Sequence, residues 1–420
     1  MSSPTEWSTV CIKEVCESIV DCVNKTAPTV DYETLYKMIR TSNVKDGWIN
    51  LNEVKFVDAE VFAKWNRRTT PRRGDVILTR EAPLGEVGML REDDSVFLGQ
   101  RLVLYRSDPQ KLDNRFLLYS LRSDFLQGQI RAFGSGATVE HMRVPDAEKL
   151  LLRLPPLRMQ KRIGDILGAY DDLIENNTRR IKILEEMAQM VYREWFVNFR
   201  FPGHEKIKMV KSQVGSIPEQ WTAKPLRDLT TLISRGISPI YDDQESCVVI
   251  NQKCIRNGRL CLDEARRQSK IVPEEKLVRL GDILINSTGV GTLGRVAQVL
   301  ESIPNCTVDS HVSIVRPKSS TEFLGKALLY MEDHFAHLGV GSTGQTELGR
   351  ERIGDTLVIA PPDFLQERFG KIVKPINQML VCCSRQIANL RETRDLLLPK
   401  LISGQVGVEH LESKTASQIS

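Results

Sequence analysis

Two stretches of the chain carry apolar side chains at steps that alternate between four and three for ten consecutive positions. The first seam is Ile163, Leu167, Tyr170, Ile174, Asn177, Ile181, Leu184, Ala188, Val191 and Trp195. The second is Phe369, Val373, Ile376, Leu380, Cys383, Ile387, Leu390, Arg394, Leu397 and Leu401, each position shifted by 206 residues. Such spacing keeps one face of an α-helix apolar and predicts two long amphipathic helices. Two equal seams in one chain invite pairing, and because the first helix delivers the chain onward, the second pairs with it by running back antiparallel. About 33 residues at ~1.5 Å rise make a rod roughly 50 Å long. Asp363 followed by Gln366 reads as an acidic N-cap with a capping-box partner, whereas Leu157 offers the first helix no comparable cap. Pro375 is expected to kink the second helix.

The segments ahead of the two helices are mixed, with short strands, turns and one or two helices, so the fold class is α+β. They also match each other. Trp7-Ser8-Thr9 resembles Trp221-Thr222-Ala223 at an offset of 214, and Asp46-Gly47 matches Asn257-Gly258 at 211, each a hairpin turn dipeptide. Gly74-Asp75-Val76-Ile77-Leu78 matches Gly281-Asp282-Ile283-Leu284-Ile285 at 207, and Leu154-Pro155-Pro156 matches Ala360-Pro361-Pro362 at 206. The constant order and drifting offset describe a tandem duplication. Globular units are expected at 1–156 and 201–362, long helices at 157–200 and 363–405, and a polar tail at 406–420. Leu102–Tyr105 and Val312–Val315 read as strands, while Arg115–Ile130 and Phe323–Leu338 have helical periodicity.

Composition changes this picture little. A formal net charge of +4 in 420 residues is near balance, so any polyanion surface must be a local patch. Basic residues cluster at Lys64, Arg67, Arg68, Arg72 and Arg73 and again at Arg256, Arg259, Arg266, Arg267 and Lys270, in roughly matching places of the two units. Arginine both grips phosphate and reads guanine edges. Each unit also has a Gly/Ser/Thr segment, with Ser135 and Thr138 in one and Ser342, Thr343 and Thr346 in the other, whose hydroxyls and N–H groups suit phosphate oxygens. Nine cysteines without a CxxC pair read as reduced thiols, with no metal expected. The polar start and the lack of an 18-residue apolar run suggest a cytoplasmic protein with no membrane partner.

Catalytic motifs do not convince. Gly289-Val290-Gly291-Thr292-Leu293-Gly294 fits G-x-G-x-x-G, but Arg295–Leu300 behind it reads as a returning strand where a dinucleotide site needs a helix N-terminus. His334 and His337 read as a helix-surface pair, and His141 has no evident partner in the sequence.

The Leu-Pro-Pro-Leu-x-x-Gln-x-x-Ile opening at Leu154–Ile163, its counterpart at Pro361-Pro362 with Gln366 and Phe369, and the Leu-Pro-Lys-Leu-Ile-Ser-Gly end at Leu398–Gly404 carry a resemblance over nearly the whole chain. The chain resembles the specificity subunit of Type I restriction-modification systems. That resemblance implies two target-recognition domains, each reading half of a bipartite, asymmetric site on double-stranded DNA, separated by two helices that form an antiparallel coiled coil. It implies docking of two methyltransferase subunits, which bind S-adenosylmethionine and methylate adenine, with motor-nuclease restriction subunits completing the restriction complex. The chain itself would be non-catalytic and need no cofactor. The interruption of the seam by Arg394 sets this chain apart. Two other readings stay open: a nucleotide-dependent enzyme using residues 289–294, and a structural coiled-coil adaptor.

Overall fold

Val76, Ile77 and Leu78, like Leu102 to Tyr105, are buried without the alternation of a half-exposed strand, because the sheet they form is covered on both faces. Side chains of successive strand residues point to opposite faces. Accordingly Val76, Leu78, Val103 and Tyr105 join a core with helical residues such as Phe116 and Ile163, while Ile77, Leu102 and Leu104 join a second core with Ile39 and Val96. The structure, a computed structural model, describes residues 7–134, 140–339 and 347–408. Two units cluster by their contacts, one running to Glu175 and resuming at Ile387, the other spanning Asn176–Gln386.

The duplication extends to all but one of the sheets among the described residues. In the first unit an antiparallel sheet has the order Cys16–Asp21, Leu102–Ser107, Val76–Arg80, Leu84–Met89; in the second, Thr230–Arg235, Val312–Pro317, Ile283–Asn286, Val296–Gln298. A three-stranded sheet, Lys55–Phe56, Lys37–Ile39, Val96–Leu98, returns as Arg266–Gln268, Cys247–Ile250, Cys306–Val308, with the last two strands parallel each time. The hairpins Val44–Lys45/Trp48–Ile49 and Ile255–Arg256/Arg259–Leu260 also match. Their turns hold Asp46-Gly47 and Asn257-Gly258 with positive φ at all four residues, the type I′ geometry that those dipeptides favour. The pairs Ser8–Cys11/Leu151–Leu154 and Thr222–Pro225/Leu357–Ala360 close each unit, and only the hairpin Met209–Ser212/Gly215–Pro218 has no partner in the other copy among the described residues.

The long helices run Leu157–Tyr192, followed by a π-turn at Arg193–Val197, and Asp363–Ile402. Eight of the ten residues of the first seam are buried, with Tyr170 and Val191 half-buried. In the first unit Ile163 and Leu167 share a core with Leu398, Leu401 and Ile402, and Asp171 accepts from Arg394. In the second, Asn177 donates to Gln386 and the rings of Trp195 and Phe196 pack on Phe369. Within each unit the numbers rise on one helix as they fall on the other, so the two segments are antiparallel. Phe369, Val373, Ile376, Leu380, Cys383 and Ile387 are buried as the heptad requires, as are Ile174, Ile181 and Leu184, while Leu390 is half-buried.

Two local expectations are corrected, and two features gain a physical account. The helix ends share one device: Gln160 and Gln366 are both buried and donate to the carbonyls of Pro155 (2.9 Å) and Pro361 (2.7 Å), so Gln366 fastens the Pro-Pro corner instead of closing a capping box on Asp363. The helix runs through Pro375 without a break. The helical stretch after Arg115 is two helices, Asn114–Arg122 and Asp124–Phe133, because Ser123 turns the chain and accepts from the N–H of Leu126; Met331 likewise separates Thr321–Tyr330 from Glu332–His337. Arg394 does not weaken the seam, since Asp171, fully buried, accepts from it and from the Tyr119 hydroxyl, each at 2.6 Å.

Candidate nucleic-acid interface

One end of the central sheet is the same in both units. Asp75 and Asp282, each almost fully buried, accept both guanidinium bonds of Arg106 (2.8 and 2.6 Å) and Arg316 (2.8 and 2.8 Å), and each takes a further bond from the N–H of Arg72 or Arg279 at 2.8 Å. A planar fork on a carboxylate is the geometry arginine alone supplies. The Gly-Asp signature seen in the sequence is the acidic half of this clamp. Its basic half, on the neighbouring strand of the sheet but far along the chain, could be found only by aligning the copies.

At the other end of the same strands the copies diverge. In the first unit Asp21 pairs with the buried Arg80 at 3.0 Å, and Glu81 lies 3.4 Å from both Arg101 and His141. Strand register matches these residues, in the order Asp21, Arg80, Glu81, Arg101 and His141, to Arg235, Ser287, Thr288, His311 and Glu347. There the contacts are Thr288 with His311 at 2.6 Å and Arg235 with Glu347 at 2.7 Å. Acid and base have changed places, while the neighbours Leu102 and Val312, and Met142 and Leu348, remain fully buried. Beside this end of the second unit Asp309 is buried and accepts from the His311 N–H at 2.9 Å; desolvation pushes its carboxyl above the usual carboxylate range, opposed by that bond and by the His311 charge. The loops that leave Asp21 and Arg235 carry exposed tyrosines, Tyr32 and Tyr241. Sequence reasoning missed all of these, because they are isolated polar residues far apart in the chain.

The basic clusters do not occupy equivalent places. Arg266 and Arg267 lie on the strand Arg266–Gln268, whose counterpart is Lys55–Phe56, whereas Arg72 matches Arg279. The offset had been carried through loops of unequal length. In the first cluster all five side chains are exposed; Lys64 lies over the Trp65 ring, Arg68 donates to the Cys22 carbonyl at 3.1 Å and Arg72 pairs with Glu17 at 3.0 Å. In the second, the Arg266 guanidinium stacks 3.7 Å from the centre of the Tyr241 ring, Arg267 and Lys270 reach the carbonyls of Glu245 and Ser238, and Arg256 donates to that of Lys253. Arg259 forks onto the Glu185 carboxylate of the long helix, so its donors face inward. Ser135, Thr138, Ser342, Thr343 and Thr346 lie outside the described residues.

The glycine loop spends its N–H groups on a hairpin: Leu293 bonds back to Gly289 and Gly294 to Asn286, and Val296–Gln298 then pairs antiparallel with Ile283–Asn286. A Cβ on Gly294 would meet the Ala336 backbone nitrogen at 2.3 Å, so close packing accounts for that glycine. His337 bonds the Asp333 carbonyl of its own helix. Among the described residues all nine cysteines are free, no group of residues could hold a metal ion, and no helix is long and apolar enough to cross a membrane.

Residues 4–186 match the model of the Type I restriction modification DNA specificity domain. The chain is 23% identical over 348 residues to the Type I restriction enzyme MjaIX specificity subunit of Methanocaldococcus jannaschii, covering 81% of this chain and 79% of that protein. It is 24% identical over 338 residues to the Type I restriction enzyme HindI specificity subunit of Haemophilus influenzae, covering 64% and 72%. The crystal structure of a Type I restriction-modification S subunit from M. genitalium has the same fold, with a TM-score of 0.60 at 18% identity over 94% of this chain and 96% of that one.

Proposed function

We propose that the chain, which is similar to the specificity subunits of Type I restriction-modification systems, is the non-catalytic DNA-reading member of such a complex, with each unit engaging one half of a bipartite, asymmetric site. The observation that carries this reading is the pairing of one framework with two chemistries. The sheets, hairpins and Asp–Arg clamps repeat, while the opposite strand ends differ in charge and hydrogen bonding. Two copies with identical polar ends would call for a repeated half-site. Two different ends call for two different half-sites.

The basic side chains Lys64, Arg67, Arg68, Arg72 and Arg73, with Arg256, Arg266, Arg267 and Lys270, supply phosphate contacts in this reading. The long helices serve as spacer and dock two methyltransferase subunits. Apolar side chains left exposed on them support docking: Ile183, Met187 and Met190 at helical spacing on the first, and Phe364, Ile372 and Met379 on the second. Catalysis then belongs to the methyltransferase and restriction partners, and the chain needs no cofactor of its own. Single-molecule methylome sequencing of the host with and without this gene tests the reading. An asymmetric bipartite adenine motif should vanish with the gene, and an unchanged methylome overturns the proposal.

A further inference from the structure

We propose that three repeat-equivalent pairs of solvent-accessible side chains at the divergent strand ends, Glu81 with Thr288, Arg101 with His311 and His141 with Glu347, face the bases and set the sequence that each unit accepts. The inference rests on the DNA-reading function proposed above and names the residues that would carry it.

The duplication supplies an internal control. The two units share one framework, so positions that only hold the fold together should agree in kind, as they do at the other end of the same strands. There the Asp75–Arg106 clamp has its counterpart in Asp282–Arg316, with the same atoms bonded. Positions merely released to solvent should have drifted into unpaired polar residues. The divergent ends do neither. In one, Glu81 lies 3.4 Å from both Arg101 and His141; in the other, Thr288 meets His311 at 2.6 Å and, as a separate pair, Glu347 is held by Arg235 at 2.7 Å.

A change of chemistry that keeps the side chains mutually oriented fits positions selected for what they present outward. The supporting residues changed in step: Asp21, paired with the buried Arg80 in the first unit, is replaced by Arg235 in the second, where a small Ser287 stands in place of Arg80 and is fully buried. The presented groups are suited to base edges. A guanidinium can donate twice to a purine acceptor pair, a carboxylate can accept from an exocyclic amine, and a hydroxyl or imidazole can do either. Strand ends also hold these groups more rigidly than a long loop would.

The test uses the full chain assembled with its methyltransferase subunits, in wild-type form and as Arg101→Gln, His311→Gln and Glu347→Gln, with methylation measured on DNA libraries that vary each base of the site. Arg101→Gln should reduce discrimination at one or two bases of one half-site by about 10- to 100-fold and leave the other half unchanged. His311→Gln and Glu347→Gln should do the reverse. All three side chains are exposed, so each variant keeps the test open if another lowers the yield of complex. Wild-type discrimination in all three variants overturns the inference, as does an equal loss across both halves, which would mark a structural role. A wild-type complex that methylates no bipartite site overturns the function proposed above and the inference with it.

Discussion

Burial at single residues gives the chain an alkaline limit. Desolvation pushes the thiols of Cys16 and Cys306 up to about 12 and that of Cys254 up to about 11, because a thiolate in these apolar cores would lose its water. Well below pH ~9 each thiol is neutral whether the chain is folded or not, so none affects stability. As pH rises from about 9 towards 12 the unfolded thiol ionises and the folded one cannot, and each costs up to ~1.4 kcal/mol per pH unit. Urea unfolding at pH 8.5 and pH 11 should therefore show a smaller alkaline loss for Cys306→Ala than for wild type, even though the variant starts less stable. Equal losses would mean that Cys306 is not desolvated. Single residues also mark the limit of what the sequence discloses. The two basic clusters stand out as runs of charge, yet Arg259 proved to be turned onto Glu185 of the long helix, and the clusters sit on non-equivalent elements. Glu81, Arg101 and His141 are scattered, and nothing short of strand register brings them together.

Elements were far more legible, because they are specified by periodicity over many residues. The seam of alternating four and three steps gave both long helices, since every error in such a pattern must be repeated several times before it misleads. Its one irregularity has a physical account. Asp171 on the first helix is matched in the second by Asn377, and Arg394 by Ala188, so the Asp171–Arg394 pair has no charged counterpart at the equivalent positions of the second unit. Arg91 and Arg122 also lie within 4 Å of Asp171, at 3.7 and 3.8 Å. Three guanidiniums therefore share this carboxylate, although Arg91 also pairs with Asp172 and Arg394 with Asp395. Asp171→Ala should destabilise the protein by about 3–5 kcal/mol, the usual cost of leaving a buried charge without its partner. Arg394→Leu should cost less, because it restores an apolar seam position while Asp171 keeps the Tyr119 hydroxyl and two nearby arginines. Chemical denaturation of the two variants checks the order, and a larger loss for Arg394→Leu would show that the arginine, not the aspartate, organises the cluster.

For the whole molecule the long helices matter because each belongs to both units: the division falls at 175/176 on the first and 386/387 on the second. Neither unit is therefore free of the helices, and on the function proposed above their length should be expressed in the DNA site. Removing one heptad from each helix takes out seven residues, nearly two full turns, and so returns every remaining seam residue to about its former face. At ~1.5 Å per residue this shortens each helix by roughly 10 Å, the rise of about three base pairs. The expected result is a methylated site with the same two half-sites and a spacer shorter by about three base pairs. Removing four residues from each helix instead turns the seam by roughly 40° at the cut, since four residues at 3.6 per turn exceed one turn. That variant should assemble less well and should not yield a spacer shortened in proportion. A heptad deletion that leaves the spacer unchanged would mean that the helices hold the bodies without measuring the DNA. Spacer length would then have to be set where the methyltransferase subunits bind.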